Sequence, residues 1–341
     1  MKGRHIILDH LGPREAAALI VDGRLEDLLI DGDAPRPGTI YRAVARRPMK
    51  GQGGLFLDTP DGPAFLRQIR GVSTGQPLLV QVTGYAEPGK ALPVTQKLLF
   101  KSRYAIVTPE APGINISRSI RDEEARIRIR AAAEDSRAAA APHGLILRSA
   151  CAEAGDEEII EDIETMLDLA EKVLGDAEGP PETLTEGDGP HLLAWRDWSA
   201  PAQVETDPGG FDRAGLADTL AELQRPEIRL GAHAGMVIEP TRALVAVDIN
   251  TGGDNSLAAG LKANIAAARD LPRQLRLRGL GGQITLDPAP MAKKDRRGFE
   301  SALRAAFRAD AIETALVGWT PLGHYELQRK RDRLPLCEVW P

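Results

Sequence analysis

The sequence predicts a multidomain α/β protein, and three features of its 341 residues carry that expectation. Short strands punctuated by glycine fill the first third, an Arg/Ala/Glu-rich helical stretch lies in the middle, and a strand, a helix and a strand follow one another in the last third. At this length one ordinary domain is too small, so two or three are expected.

Taken in order, His5 to Asp31 holds apolar runs around Ile6, Ile7 and Leu8, then Ala18 to Val21, then Leu28 to Ile30. Polar turns divide them, as in a set of strands. From Gly38 to about Lys101 the segments Thr39–Val44, Gly54–Asp58, Ala64–Leu66 and Leu78–Val82 are separated by Pro, Gly and Asp. Five short strands of this kind point to a small barrel of the OB type. Ser119 to Ala141 is free of Gly and Pro and reads as helix. Gly144 to Arg148 reads as a strand, and Asp156 to Leu174 as an amphipathic helix, with Ile159, Ile160, Ile163, Met166, Leu167, Ala170 and Val173 at three- and four-residue spacing. Gly179 to Pro190 reads as a loop, and Leu192 to Pro226 gives little.

The last third predicts a strand over Ala243–Ile249, a loop over Asn250–Ser256, a helix over Leu257–Leu277, a strand over Gln283–Leu286 and a helix over Arg296–Asp310. A strand, helix and strand of this spacing form a right-handed crossover between parallel neighbours. Both strands then deliver their carboxyl ends to one sheet edge, where open α/β folds place their sites.

The net charge of −6 argues against a protein that coats nucleic acid indiscriminately, because neutralising phosphates needs positive charge. Any such site is local. Candidate basic stretches are Arg118, Arg121, Arg126, Arg128 and Arg130; Arg273, Arg276 and Arg278; Lys293, Lys294, Arg296 and Arg297; and Arg329, Lys330, Arg331 and Arg333. Such runs are also the ordinary solvated faces of helices. The two cysteines, Cys151 and Cys337, have neither disulfide-framework nor zinc-knot spacing and read as reduced thiols. No apolar run approaches the eighteen or so residues of a membrane span, and no basic-then-apolar leader opens the chain, so a cytoplasmic placement is expected.

Asp248 ends one apolar strand and Asp287 the next, so the crossover brings two carboxylates to one rim. Magnesium takes a few hard oxygen ligands and keeps several waters, which such a pair can supply with room for a phosphate oxygen. Asn250, two residues on, points to the same side and can bond a water or phosphate. Strand-end aspartates also commonly accept backbone hydrogen bonds in the following turn, and the spacing leaves both readings open.

Residues Ala243-Leu-Val-Ala-Val-Asp248-Ile-Asn250-Thr-Gly252, then Asn264, then Arg273-Gln-Leu-Arg-Leu-Arg278 and Leu280-Gly-Gly282-Gln-Ile-Thr-Leu-Asp287 resemble, in order and spacing, the catalytic signature of the ribonuclease E/G family. The resemblance implies that Asp248 and Asp287 bind a catalytic Mg2+ and that Asn250 assists. Upstream, Gly54-Leu-Phe56-Leu-Asp58, Phe65 and Gly89-Lys90-Ala-Leu-Pro-Val-Thr95 resemble the family's S1-type OB-fold, which implies that Phe56 and Phe65 stack bases and Lys90 meets phosphate. Both phenylalanines equally suit the core of a small barrel. Ser102-Arg-Tyr104 to Pro109, Gly113 to Arg118 and Gly144-Leu-Ile-Leu-Arg148-Ser149 resemble the family's sensor for a 5′-monophosphate, with Arg148 and Ser149 as its phosphate contacts.

Several positions depart from the family pattern. Ala258 stands where it has an acid, Pro290 where a second aspartate follows the second strand, and Pro321 where an arginine is expected. The zinc-binding cysteine motif and small dimerisation domain have no counterpart before Pro341, and Cys337 is no substitute, so a monomer or a dimer built without shared zinc is expected.

The resemblance thus implies an RNase H-like domain (1–35 with 179–224), interrupted by the S1-type OB-fold (36–101) and a sensor region (102–178), and then a DNase I-like catalytic domain (225–341). The implied activity is Mg2+-dependent endonucleolytic cleavage of single-stranded RNA, stimulated by a 5′-monophosphate. A catalytically impaired RNA-binding relative and a DNA-directed nuclease are the alternatives: the first is indifferent to loss of Asp248, and the second ignores the 2′-hydroxyl.

Overall fold

The structure is a computed structural model describing residues 2–46, 53–67, 71–109, 111–139 and 141–340. It divides into two compact units, one of residues 1–32 with 202–341 and one of residues 33–201.

The first unit opens with an antiparallel meander of β1 (Arg4–Leu11), β2 (Arg14–Val21) and β3 (Arg24–Ile30), the set of strands expected from the apolar runs. The chain then builds the second unit. β4 (Ile40–Ala45), β5 (Gly54–Thr59), β6 (Gly62–Arg67), β7 (Pro77–Val82) and β8 (Leu92–Thr95) close a barrel in the order β4-β5-β6-β8-β7, with β7 pairing back onto β4. This is the five-stranded, OB-like barrel the sequence predicts. Leu55, Leu57, Ala64, Leu66, Val80 and Val94 fill it, as strand alternation requires.

Next come β9 (Phe100–Lys101), β10 (Ala105–Thr108), β11 (Gly113–Ile116), α1 (Glu123–Asp135), β12 (Gly144–Leu147) and α2 (Asp156–Gly175), giving a small sheet ordered β11-β12-β10-β9. Asp122 caps α1 by accepting from the Ala125 amide at 3.1 Å. The stripe Ile159, Ile163, Leu167, Ala170 and Val173 of α2 packs with Ala105, Val107, Leu145 and Leu147. Where the sequence suggested only a loop, β13 (Glu182–Thr185) pairs with β4. The half-polar run Glu-Thr-Leu-Thr hides it, and it is held from the barrel side by the buried Arg42, whose Nε donates to the Pro180 carbonyl at 2.8 Å. α3 (Pro190–Asp197) completes the unit.

Back in the first unit, β14 (Gln203–Glu205) adds in parallel to β1, and α4 (Gly210–Arg213) and α5 (Leu216–Leu223) bury Phe211, Leu216 and Leu220 with Ile7, Ala18 and Leu28. Then follow β15 (Glu227–Arg229), β16 (Gly235–Pro240), β17 (Val245–Asn250), α6 (Leu257–Leu277), β18 (Gly282–Asp287), α7 (Arg296–Ala309), β19 (Thr314–Trp319) and β20 (Tyr325–Arg329). They make a six-stranded sheet ordered β15-β16-β17-β18-β20-β19 in which β17 and β18 are the parallel pair. α6 starts at Ser256, whose hydroxyl accepts from the Ala259 amide. It buries Ala263, Ala267, Ala268, Leu271 and Leu275 against Val247, Ile284 and Leu286. No helix among the described residues is long and apolar enough to cross a membrane.

Two of the basic stretches turn inward. Arg276 pairs with Asp310 and Asp27, Arg333 engages Asp27 with both Nη atoms, and Arg329, with no exposed side-chain area, meets Asp310 at 2.7 Å. Arg273 donates to the Leu25 carbonyl at 2.8 Å, and Arg278 is buried. Arg276, Arg329 and Arg333 are structural ion pairs, not surface cations. Their partners Asp27 and Asp310 lie far away in sequence, which is why spacing misread them. Arg126 and Arg128 likewise spend their guanidinium groups on backbone carbonyls, those of Ser117 and Ile120 and those of Cys151, Ala152 and Ala154.

Candidate active site

At the carboxyl ends of β17 and β18, Asp248 and Asp287 are direct register partners. Residues opposite each other on neighbouring strands project to the same face, and the strands stand about 4.8 Å apart, so both carboxylates rise side by side. Both are exposed, while Val247, Ile249 and Leu286 beside them are buried. The Asn250 amide donates to Asp248 Oδ2 at 2.6 Å, fixing that carboxylate. His324, in the turn before β20, brings Nε2 to 3.8 Å from Asp287 Oδ1. Among the described residues no cluster of three or more His, Cys, Asp or Glu is placed to hold a metal, so a cation here would rest on the carboxylate pair and water.

The loop leaving Asp287 is pinned from below. Asn264 of α6, fully buried, donates to the Ala289 carbonyl at 2.8 Å and accepts from the Ala289 amide at 2.9 Å. Gly260, one turn earlier, lies under Pro290: a Cβ there would stand 1.8 Å from the Pro290 carbonyl oxygen. The loop that carries Pro290 thus sits directly on the helix backbone. Asn264→Ala is expected to cost about 1–3 kcal/mol for each stranded backbone group and to lower any activity that needs Asp287 in place. Urea denaturation of the variant measures it, and a stability within 0.5 kcal/mol of wild type would show that the pin does not matter.

On the barrel, Phe56 and Phe65 are cross-strand partners with ring centroids 5.1 Å apart, and both are partly exposed. The adjacent Leu55, Leu57, Ala64 and Leu66 point inward, so the two rings lie on the outer face of the barrel and outside its core. Gly54 leaves space for them, since a Cβ there would meet the Phe65 ring at 2.4 Å. Lys90 is exposed in the loop leading into β8 and pairs with Glu87 at 2.5 Å.

In the sensor region Arg148 closes β12, and Ser149 starts the following turn with its side chain exposed. Arg148 Nη1 donates to the carbonyls of Ser102 at 2.6 Å and Arg196 at 3.2 Å, and Nη2 to Asp197 at 2.6 Å. Burial pushes Asp197 up, but hydrogen bonds and charge from Arg196 and Arg148 outweigh it and leave its pKa lowered. An anion therefore already faces Arg148.

The ribonuclease E/G family model matches residues 100–206 and 200–332, well over half of the chain. This chain belongs to the ribonuclease E/G family. Similar relatives include ribonuclease E of Synechocystis sp., 26% identical over 387 aligned positions covering 96% of this chain and 57% of that protein. Ribonuclease G of Escherichia coli is 27% identical over 393, covering 96% and 80%. Ribonuclease G of Haemophilus influenzae is 27% identical over 398, covering 98% and 81%. The chain spans little more than half the length of the ribonuclease E relatives of Synechocystis sp. and Nostoc sp. that it matches. The alignments are longer than this chain, so the relatives carry segments with no counterpart in this member of the ribonuclease E/G family.

Sequence reading missed three parts of this family member's site. His324 follows a glycine in a turn and gives no periodic signal. Asn264 stood within the family signature read from the sequence, but its grip on Ala289 depends on the loop's fold. The Asp197 partner of Arg148 lies 49 residues downstream in a stretch that patterning could not read.

Proposed function

We propose that this chain is a magnesium-dependent endoribonuclease that hydrolyses phosphodiester bonds in single-stranded RNA. The observation that carries the reading is the register of Asp248 with Asp287, which sets two exposed carboxylates side by side beneath an open rim. Two carboxylates leave most of an octahedral shell to water and phosphate oxygen, which suits magnesium. When bound, the metal supplies an activated water and neutralises charge developing on the phosphate. Asp248 and Asp287 hold it, and Asn250 keeps Asp248 in one orientation. His324 sits where it can bond a phosphate oxygen or the leaving hydroxyl. On the barrel, Phe56 and Phe65 offer aromatic faces for bases, and Lys90 offers a cation for phosphate, a pairing that tolerates any sequence.

In this reading the six-stranded sheet is the DNase I-like module, the β1–β3 meander with β14 belongs to the RNase H-like part, and residues 36–101 and 102–178 are the S1-type and sensor modules. Cytoplasmic RNA processing is the setting it implies. Cleavage of a fluorescent single-stranded RNA with Mg2+, with EDTA and against DNA of the same sequence tests the proposal. Binding without cleavage would select the RNA-binding alternative, and equal cutting of DNA the other.

Arg148 and Ser149 are proposed as contacts for a 5′-monophosphate. Charge-assisted bonds of this kind are worth about 1.5–3 kcal/mol, or roughly ten- to a hundredfold. The competing Asp197 sets the expectation at the lower end, about tenfold faster cutting of 5′-phosphorylated over 5′-hydroxylated RNA. Ser149→Ala, at an exposed position, should reduce that ratio without loss of folding. Equal rates on the two RNAs in wild type would remove the sensor.

A further inference from the structure

We propose that the outer face of α7 is a docking track for the phosphates of an RNA strand engaged at the acid pair. The proposal rests on the nuclease reading above and adds to it a path for the substrate. Arg297, Ser301, Arg304 and Arg308 are all exposed and fall at spacings of four, three and four residues, so they form one line along the helix. Lys293 and Lys294, exposed in the turn that leads into α7, extend the line toward the site. None of these five cations has a carboxylate partner among the described residues. Arg276, Arg329 and Arg333 of the same unit are by contrast consumed by acids. In a chain of net charge −6, leaving five cations unpaired on one face is a local departure from the overall balance.

The acids near this line are few and mostly committed. Glu300 accepts from the Trp319 indole at 2.6 Å, and Asp310 is buried in its ion pairs, which leaves Asp295 at the start of α7 and the exposed Glu313 beyond its end. Neighbouring α6 exposes Lys262 and Arg269, seven residues apart and therefore on one side of that helix.

The line begins at the sheet edge that carries the proposed catalytic pair. α7 follows β18 after the loop pinned by Asn264, so its first turn lies at the edge that carries Asp287. Arg296, stacked over Trp319 at 4.2 Å, reaches within 3.5 Å of where a Cβ on Gly323 would stand, and the next residue, His324, is the one beside Asp287. From Arg297 to Arg308 the helix rises about 16 Å, enough to follow several phosphates away from the scissile bond. A membrane is the other polyanion such a helix could meet. Its apolar side, Phe299, Leu303 and Phe307, is already buried in the core and has nothing left to insert. The occupant is therefore a nucleic acid strand.

The test replaces Arg297, Arg304 and Arg308 together by Gln, which keeps helix propensity and removes three charges. RNA affinity is read by filter binding against salt, in EDTA, on a 20-nucleotide single strand, with thermal melting to confirm the fold. Each phosphate contact to a single strand contributes about 0.7 to the slope of log K against log salt, so the triple variant should lose about 2 from that slope. Its affinity at low salt should fall at least tenfold. A charge-reversing Arg304→Glu variant should weaken binding further than Arg304→Gln does.

Wild-type affinity and slope in the triple variant, at an unchanged melting temperature, would overturn the track. So would charge-dependent binding to phosphatidylserine vesicles with no change toward RNA. Because binding is measured without metal, a wild type that binds through these arginines yet never cuts would sink the nuclease reading alone.

Discussion

Asp248→Asn and Asp287→Asn are each expected to lower RNA cleavage by several orders of magnitude while leaving RNA affinity close to wild type. Carboxylate and phosphate repel one another unless a cation stands between them, so neither aspartate contributes to holding RNA directly. Asparagine keeps the size of the side chain and the strand register but removes an anionic oxygen, and a hard divalent cation then binds poorly. The double variant should be little worse than either single one, because the two residues act through one site and their effects do not add. Manganese, which accepts poorer oxygen sets, should restore part of the activity in the single variants. The cleavage rate and the dissociation constant on one RNA, for wild type and the three variants, decide the matter. If Asp248→Asn cuts as fast as wild type, the site lies elsewhere.

The second large effect is on stability. Asp310→Ala should destabilise the protein by about 3–5 kcal/mol, the cost of leaving a buried charge without its partner. Asp310 stands just after α7 with 1% of its side chain exposed; it accepts from Arg276 and forms an ion pair with Arg329 at 2.7 Å. Arg276 keeps Asp27 at 3.4 Å, but Arg329 has no other carboxylate among the described residues and no exposed area. Burial already lowers the pKa of Arg329 in spite of Asp310, so removal of the acid leaves the full desolvation penalty. Adding Arg329→Met to Asp310→Ala removes the orphaned charge and should recover a large part of the loss. Chemical denaturation of the two singles and the double reads the coupling. Strictly additive losses would mean that the pair does not act as a unit.

The parts of this fold that were legible in the sequence are those with a long, single period. α6 spans Leu257–Leu277, the range the sequence predicts, because its apolar positions recur over five turns and Ser256 marks its start. β17 and β18 were readable because buried Val245, Val247 and Ile249, and Ile284 and Leu286, alternate with more exposed residues at the two-residue period of a strand. β13, β19 and β20 were not: the first is four residues long, and the others alternate with buried polar side chains such as Arg329 or break at Gly318, where φ is +132° and the pairing shifts. The same limit governed charge. Whether Arg333 faces water or Asp27 is decided by a contact 306 residues apart, and no local pattern carries that information. The acid pair was visible as two strand ends, while its exact alignment and the neighbouring His324 needed the sheet.

If Asp248 and Asp287 together hold the divalent ion that cuts RNA, counting bound manganese by electron paramagnetic resonance will show the pair as its site. Titration of Mn2+ into wild type and into Asp248→Asn/Asp287→Asn, each with a single-stranded RNA present, is predicted to show one site in the wild type that disappears in the double variant. Equal bound Mn2+ in the two proteins, with the double variant fully folded, would contradict the account.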